Sequence, residues 1–370
     1  MKTVLVTGAF GFIGRNLVAT LSRKEDIEVL KIGSKHSLNE LEECAIKADF
    51  IFHLAGINRP ENIEDFTSGN AGFTQQLIDI LNTNNKRTPI LLSSSIQAEH
   101  NNPYGISKYA AEDTISNYGR SVGVNTFIYR LPNVFGKWGK ANYNSVIATF
   151  CNNIANDIPI VINDPSVIMN LVYVDDVVEE MINALQGEGN IKKKYYEVSV
   201  VHTISLGEIV KLIYSFKDSR LDRTIPNMAD PFTKKLYSTY LSYLPKDQFS
   251  YDLHMNVDDR GSFTEFIKTP DRGQVSVNIS KAGITKGNHW HHTKNEKFLV
   301  VSGTGVIRFR RIESSEIIEY YVSGEKLKVI DIPVGYTHNI ENLGENDMVT
   351  VMWANEYFDQ EKPDTYYLEV

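Results

Sequence analysis

Hydrophobic positions follow different periods in the two parts of this 370-residue chain. Through about residue 200, β-branched runs alternate with amphipathic stretches: TVLVTG precedes GRNLVATLSRK, and EVLKIG, DFIFHLAG and TPILLSSS follow in turn. Unbroken apolar runs suit strands buried on both faces. Strands separated by helices predict a parallel, doubly wound α/β sheet. Between about 202 and 250 the spacing turns helical, in SLGEIVKLIYSF and around FTKKLYSTYLSYLP. From Phe249 onward, QVSVNIS, EKFLVVSGTGVIRFRR, EIIEYYVS, KLKVIDIP and MVTVMWAN are short strands set apart by Gly and Asn turns. That is the pattern of an antiparallel sandwich or barrel. A boundary near 245 divides an α/β domain, 1–245, from an all-β domain, 246–370.

Composition narrows the function classes. The length exceeds what one core usually serves, in keeping with two domains. A net charge of −8 argues against a nucleic-acid-binding surface. No apolar stretch is long enough for a membrane span. The N-terminus MKTVLVTGAFGFIG is apolar but holds a glycine motif and no cleavage-site pattern, so it reads as strand and helix. Cys44 and Cys151 are too few for a disulfide framework, and a cytoplasmic protein is expected.

Within VLVTGAFGFIGRNL, Gly8, Gly11 and Gly14 fall between a strand and a helix. Glycines there permit a tight turn and close backbone approach, and the helix N-terminus favours a pyrophosphate. Tyr104 and Lys108 stand at i and i+4, on one helical face. An ammonium near a phenol stabilises the phenolate and suits the pair to proton transfer. SSSIQ at 93–97 follows a buried strand, where a Ser hydroxyl can orient a reacting carbonyl. The second strand ends in Gly33, Ser34 and Lys35 where an acid would mark NAD, and Arg15 follows the glycine turn. A hydroxyl and cations suit a 2′-phosphate, so NADPH is favoured over NADH.

In the C-terminal part, His289 and His291 alternate, Glu296 follows, and IPVGYTHNIEN adds His338. Side chains at i and i+2 of a strand share a face, so the two histidines can point together into a barrel. Three imidazoles and a carboxylate form an N/O set for zinc or another divalent metal.

Taken together, residues 1–240 resemble the extended short-chain dehydrogenase/reductases, a Rossmann-type family. FHLAG at 52–56, Asn70 in GNAGF, PYGISKYAAE at 103–112, RLPNVFG at 130–136 and VYVDDV at 172–177 stand in family order. The resemblance implies Tyr104 as catalytic acid, Lys108 as its partner, and Ser95 or Ser94 as the hydroxyl. It implies NADP contacts from Phe10, Phe12 and Ile13 beside the glycines. Further contacts would come from Leu54, Ala55 and Gly56, from Asn70 and from Leu131, with Asn133 at the substrate. Two departures stand out: the gap from the serines to Tyr104 is short, and Asn170 holds a place where Arg is common. Sugar 4,6-dehydratases of this superfamily carry an acidic pair after the strand-end hydroxyl, where this chain has Ile96 and Gln97. Dehydration is therefore disfavoured.

Both histidine motifs, with Gly283, Gly303, Pro333 and Gly335, resemble the cupin superfamily. VDDRGSFTEF, which contains Asp258, Arg260, Gly261, Phe263 and Glu265, is similar to the start of the deoxysugar-nucleotide 3,5-epimerases. Those enzymes use a metal-free histidine base at the position of His289, so the two resemblances differ on whether His289 is a ligand or a base. The set completed by His291 and Glu296 favours a ligand. By the same likeness Arg260 and Glu265 contact the substrate. The whole chain resembles the bifunctional CapF-type enzymes of bacterial capsular polysaccharide synthesis. That resemblance implies a UDP-2-acetamido-2,6-dideoxy-4-keto-hexose, epimerised at C3 and then reduced at C4 with NADPH. A homodimer is expected. A plain reductase or 4-epimerase, with the cupin as a binding or dimerisation module, is the alternative.

Overall fold

The computed structural model describes residues 1–359 and 361–370. They form two compact units, Met1–Tyr214 with Asp230–Pro245, and Ser215–Ala229 with Lys246–Val370.

The first unit is built on a Rossmann-type parallel sheet. Strands β1 (Lys2–Thr7), β2 (Ile27–Ile32), β3 (Phe50–His53), β4 (Ile90–Ser95) and β5 (Thr126–Leu131) lie in the order β2-β1-β3-β4-β5. The short strands Tyr195–Tyr196 and Ile191–Lys192 extend the sheet past β5. β1 shows why its sequence lacks alternation. Val4 and Val6 share a core with Leu17 and Leu21 of α1 (Phe12–Leu21) and with Met181 of helix Val174–Gln186. Leu5 faces the other core with Leu41 of α2 (Leu38–Lys47), and a strand buried on both sides is apolar throughout. The chain steps from β1 out to β2 and crosses back to β3, so the loops leaving β1 and β3 meet at the sheet's carboxyl edge. In open α/β sheets that crevice is where ligands bind.

Two helices frame that edge. Helix α3 (Glu64–Phe66) passes through a π-helical turn, Thr67–Gly72, into α4 (Phe73–Thr83). Helix α5 (Pro103–Val122) begins with a proline in its first turn and with the Asn102 side chain accepting from Gly105 N. It ends at Gly123, whose φ of +73° is a left-handed cap.

The second unit is antiparallel, as the spacing after Phe249 predicts. One sheet has six strands, in the order Asn256–Asp258, Gly261–Thr269, Gly273–Ser280, Met348–Ala354, Glu296–Ser302 and Val329–Ile332. The other has five, in the order Ile317–Ser323, Thr304–Arg311, Tyr336–Asn342, Thr285–Trp290 and Tyr366–Tyr367. Phe298, Val300, Ile307, Phe309, Ile340 and Met348 fill the core between them. Segment 223–225 lies beside Lys268, with Ile225 N donating to Lys268 O at 3.0 Å.

Candidate active sites

In the first unit the turn after β1 is closed by glycine. Gly8 has φ +68°, and a Cβ on it would stand 2.7 Å from Ala55 N. A Cβ on Gly14 would stand 2.1 Å from Gly8 O, so loop and helix meet at a distance only glycine allows. Gly11 caps α1, and Phe12 and Ile13 lie half-buried in its first turn. Phe10 is exposed and stacks on His36, with centroids 5.8 Å apart. Ser34 and Lys35 are exposed just beyond β2.

A buried hydrogen-bond relay joins this turn to α4. Ala55 N donates to Thr7 Oγ1, which lies 2.8 Å from His53 Nδ1, and His53 Nε2 lies 2.9 Å from Thr74 Oγ1. Thr74 Oγ1 in turn donates to Asn70 O, so the one consistent direction puts the proton of a neutral His53 on Nε2. Burial drives the His53 pKa down to about 3, with the Lys108 cation adding to the effect. The π-helical turn presents Asn70, whose amide accepts from Ile57 N at 2.9 Å and donates to Ile57 O and Ser107 Oγ. Gly56 sits against it, since a Cβ there would lie 2.8 Å from Asn70 Oδ1 and 3.6 Å from Lys108 Nζ. Leu54 is half-buried beside the relay.

Tyr104 and Lys108 are one turn apart on α5, facing the end of β4. The Ser95 side chain hydrogen-bonds that of Tyr104, while burial raises the Tyr104 pKa against that bond. Lys108 Nζ donates to Ser93 O at 2.7 Å. Burial lowers its pKa to about 8, and the Glu112 carboxylate acts in the opposite direction. The Ser94 hydroxyl is turned elsewhere and donates to Glu112. Glu112 also accepts from Arg130 Nε at 2.9 Å and Nη2 at 2.7 Å, and Arg130 lies over the Tyr195 ring at 3.8 Å. The structure thus brings Ser95 to Tyr104 and locks Ser94 into a buried ion pair. Glu112 and Arg130 escaped the sequence reading because their pairing spans 18 residues between a helix and a strand. Leu131 is buried at the end of β5, and Asn133 is exposed just after it. Asn170 accepts from Thr203 Oγ1 at 2.9 Å, across neighbouring strands.

In the second unit, His289, His291, Glu296 and His338 come together, with their potential ligand atoms all within 4.8 Å of one another. His289 pairs directly with His338 across two strands, and Glu296 opens the strand that pairs with Met348–Ala354. Glu296 Oε2 lies 3.4 Å from His291 Nε2 and 3.3 Å from His338 Nε2. Although close, none of these three buried atoms has a hydrogen-bond partner. Donor atoms spaced in this way surround a common centre rather than pairing with one another. Leaving a buried polar atom unpaired costs about 1–3 kcal/mol each, so the cluster fits a divalent cation. Burial alone would raise the Glu296 pKa, but the His291 and His338 imidazoles hold it well below the ordinary carboxylate range. Burial, helped by neighbouring His338, pushes His289 down to about 4.

His291 is held from behind by a residue that nothing local in the sequence marks. Its Nδ1 lies 2.6 Å from Asp364 O, which leaves Nε2 to face the centre. The Asp364 carboxylate accepts from the backbone N–H groups of His292, Thr293 and Lys294 and so braces the loop. A cavity of about 730 Å³ opens over the cluster, lined by His289, Glu296, His338, Lys286 and, among others, Arg260 and Asp258. Arg260 lines this cavity while paired with Asp258 at 2.6 Å. Glu265 is not among the lining residues and is held between Arg223 at 3.1 Å and Lys268 at 2.8 Å.

Residues 4–199 match the NAD dependent epimerase/dehydratase family, and residues 256–366 match the polysaccharide biosynthesis C-terminal domain. Over 367 residues the chain is 46% identical to the UDP-2-acetamido-2,6-beta-L-arabino-hexul-4-ose reductase of Pseudomonas aeruginosa, covering 99% of this chain and 98% of that protein. It is 60% identical to the capsular polysaccharide assembling protein CapF from Staphylococcus aureus, with a TM-score of 0.95 over 99% of this chain and 100% of that one. A structure of CapF with the inhibitor 3-isopropenyl-tropolone is 56% identical and matches with a TM-score of 0.90 over 100% of both chains.

Proposed function

The chain belongs to the NAD dependent epimerase/dehydratase family and is of the CapF type, and from that premise we propose that it performs two successive reactions on one nucleotide sugar. In this reading the second unit is a cupin that inverts C3 of a UDP-2-acetamido-2,6-dideoxy-4-keto-hexose. The first unit then reduces C4 with NADPH. The product is a UDP-2-acetamido-2,6-dideoxy-L-talose, a precursor of N-acetyl-L-fucosamine for capsular polysaccharide. The order is chemical: a 4-ketone acidifies the C–H bonds beside it, and reducing the ketone removes that acidity. The Pseudomonas relative, named as a reductase of a UDP-linked 2-acetamido 4-ulose, supports the substrate class.

The observation that carries the epimerase half is the cluster of buried, unpartnered donor atoms in the second unit. His289, His291, Glu296 and His338 would hold zinc or another divalent ion, which would supply a Lewis acid for the ketone oxygen. Tropolones as a class chelate divalent cations through adjacent oxygens, so the inhibitor bound to CapF fits a metal-bearing site. At the cavity mouth, the Arg260 guanidinium binds the diphosphate in exchange for Asp258.

In the first unit, Tyr104 donates a proton to O4, Ser95 orients the carbonyl, and the Lys108 ammonium stabilises the phenolate left behind. The Gly8–Gly14 turn would hold NADPH, with Ser34 and Lys35 toward its 2′-phosphate, and that cofactor would supply the hydride. Asn133 lies toward the sugar. The protein works as a homodimer in the cytoplasm. Among the described residues, no helix is long and apolar enough to cross a membrane.

The test is to incubate the 4-keto UDP-sugar with the protein in heavy water and follow it by mass spectrometry. Without NADPH, deuterium should enter the carbon beside the ketone. With NADPH, the ketone should then be reduced. Reduction without any deuterium uptake would leave a plain reductase.

A further inference from the structure

We propose that Lys286 is a catalytic residue of the second unit, its ammonium donating a hydrogen bond to the sugar oxygen that becomes anionic when the C–H bond beside the 4-ketone breaks. The inference rests on the epimerase reading above and deepens it.

In an uninterrupted strand, residues three apart point to opposite faces, which would put Lys286 on the far side of the sheet from His289. The register shows otherwise. Lys286 pairs with Ile340 and Gly287 with Asn339, and after an irregularity at Asn288, His289 pairs with His338. Residues directly opposite in an antiparallel pair share a face, and Ile340 and His338 are two apart on one strand. The extra residue therefore returns Lys286 to the face of His289, the re-aiming that a bulge performs. Asn288 takes φ +59° and Gly287 takes φ +105°, left-handed conformations that the bulge requires. Lys286, His289, His338 and Ile340 accordingly line the same cavity.

The head group is fixed. Nζ donates to Asn278 Oδ1 at 2.9 Å and to Ile279 O at 2.7 Å. Asn278 is itself buried and anchored through its Nδ2 on Ser280 Oγ. An ammonium has three N–H donors, so one remains for the cavity. Burial lowers the Lys286 pKa while the Asp258 carboxylate acts in the opposite direction; in its charged form the nitrogen has no lone pair and can only donate.

In the step it serves, a base in the cavity takes the proton from carbon. The C–H electron pair moves into the ring C–C bond, and the carbonyl π pair moves onto oxygen. A proton then returns to the opposite face of the same carbon. No electrons are gained or lost overall. A donor fixed at the oxygen acts more strongly as charge develops than it does on the ketone.

The test uses the full-length, metal-loaded protein with the 4-keto UDP-sugar in heavy water, without NADPH. Lys286→Met keeps the apolar stem and removes the donors. It should slow maximal deuterium uptake by about 10²-fold, with KM within about twofold of wild type and metal content unchanged. Lys286→Cys should be equally slow and should recover on alkylation with 2-bromoethylamine, which rebuilds an ammonium; the wild-type protein treated likewise controls for Cys44 and Cys151. Recovery on alkylation separates a chemical role from a folding defect. A raised KM with unchanged maximal uptake would place Lys286 on the diphosphate and overturn the proposal. Uptake by Lys286→Met equal to wild type would overturn it while leaving the epimerase reading intact. No uptake by the wild-type protein would sink both.

Discussion

The two units enclose their buried polar groups in opposite ways. Beneath Tyr104, Lys108 has Ser93 O, Glu112 has Ser94 and Arg130, and His53 has Thr7 and Thr74. Folding alone completes that site, and its ligands come to an edge that is already ordered. In the second unit, His291 Nε2, Glu296 Oε2 and both ring nitrogens of His338 are buried without hydrogen-bond partners. At about 1–3 kcal/mol for each such atom, that cluster is suited to completion by a bound cation. A ligand bound only by the folded form stabilises it, so a metal held by this cluster would couple its binding to folding of the second unit.

The strongest test of that contrast is to remove ligands from one side. A His291→Ala, Glu296→Ala double substitution should take elemental analysis from about one metal per chain to none. It should also abolish deuterium uptake, while reduction of pre-epimerised sugar persists. Loss of reduction along with the metal would mean that the two sites are not independent. The converse substitution is Tyr104→Phe, which keeps the ring and removes the proton donor. NADPH oxidation should fall by at least about 10²-fold while deuterium uptake continues at the wild-type rate.

Two smaller effects sharpen the comparison. Asp364→Ala removes the acceptor of three loop N–H groups behind His291, so metal affinity, read by chelator competition, should weaken by about tenfold. An unchanged affinity would show that the backbone carbonyl of residue 364 is sufficient. In the first unit, Ser34→Asp with Lys35→Ala should shift the ratio of NADPH to NADH dissociation constants by about fivefold toward NADH, the scale of one exposed charge contact. A constant ratio would remove these residues from cofactor choice.

Much of the architecture was legible from local spacing. The run VLV at 4–6 is apolar at every position because both faces of β1 are buried, and that signature survives without any knowledge of partners. The glycine turn was legible because a Cβ at Gly8 or Gly14 collides with backbone, a constraint written residue by residue. The cluster of His289, His291, Glu296 and His338 could be named because each member lies in a short motif with its own glycine or proline.

Other features belong to contacts between distant residues, and no window of sequence contains them. Ser94 and Ser95 are neighbours of one type; Glu112, 18 residues on in α5, occupies the first and leaves the second to Tyr104. Glu265 sits in a motif similar to that of substrate-binding epimerases, yet Arg223 and Lys268 hold it away from the cavity lining. Asp364 braces His291 from 73 residues downstream. Lys286 shows the limit most directly. A spacing of three assigns it to the wrong face of a strand, and only the bulge at Asn288, visible as a shift in pairing register, turns it inward. Periodicity reports a side chain's direction while the backbone stays regular; where the backbone departs from its period, direction is set by the partner strand.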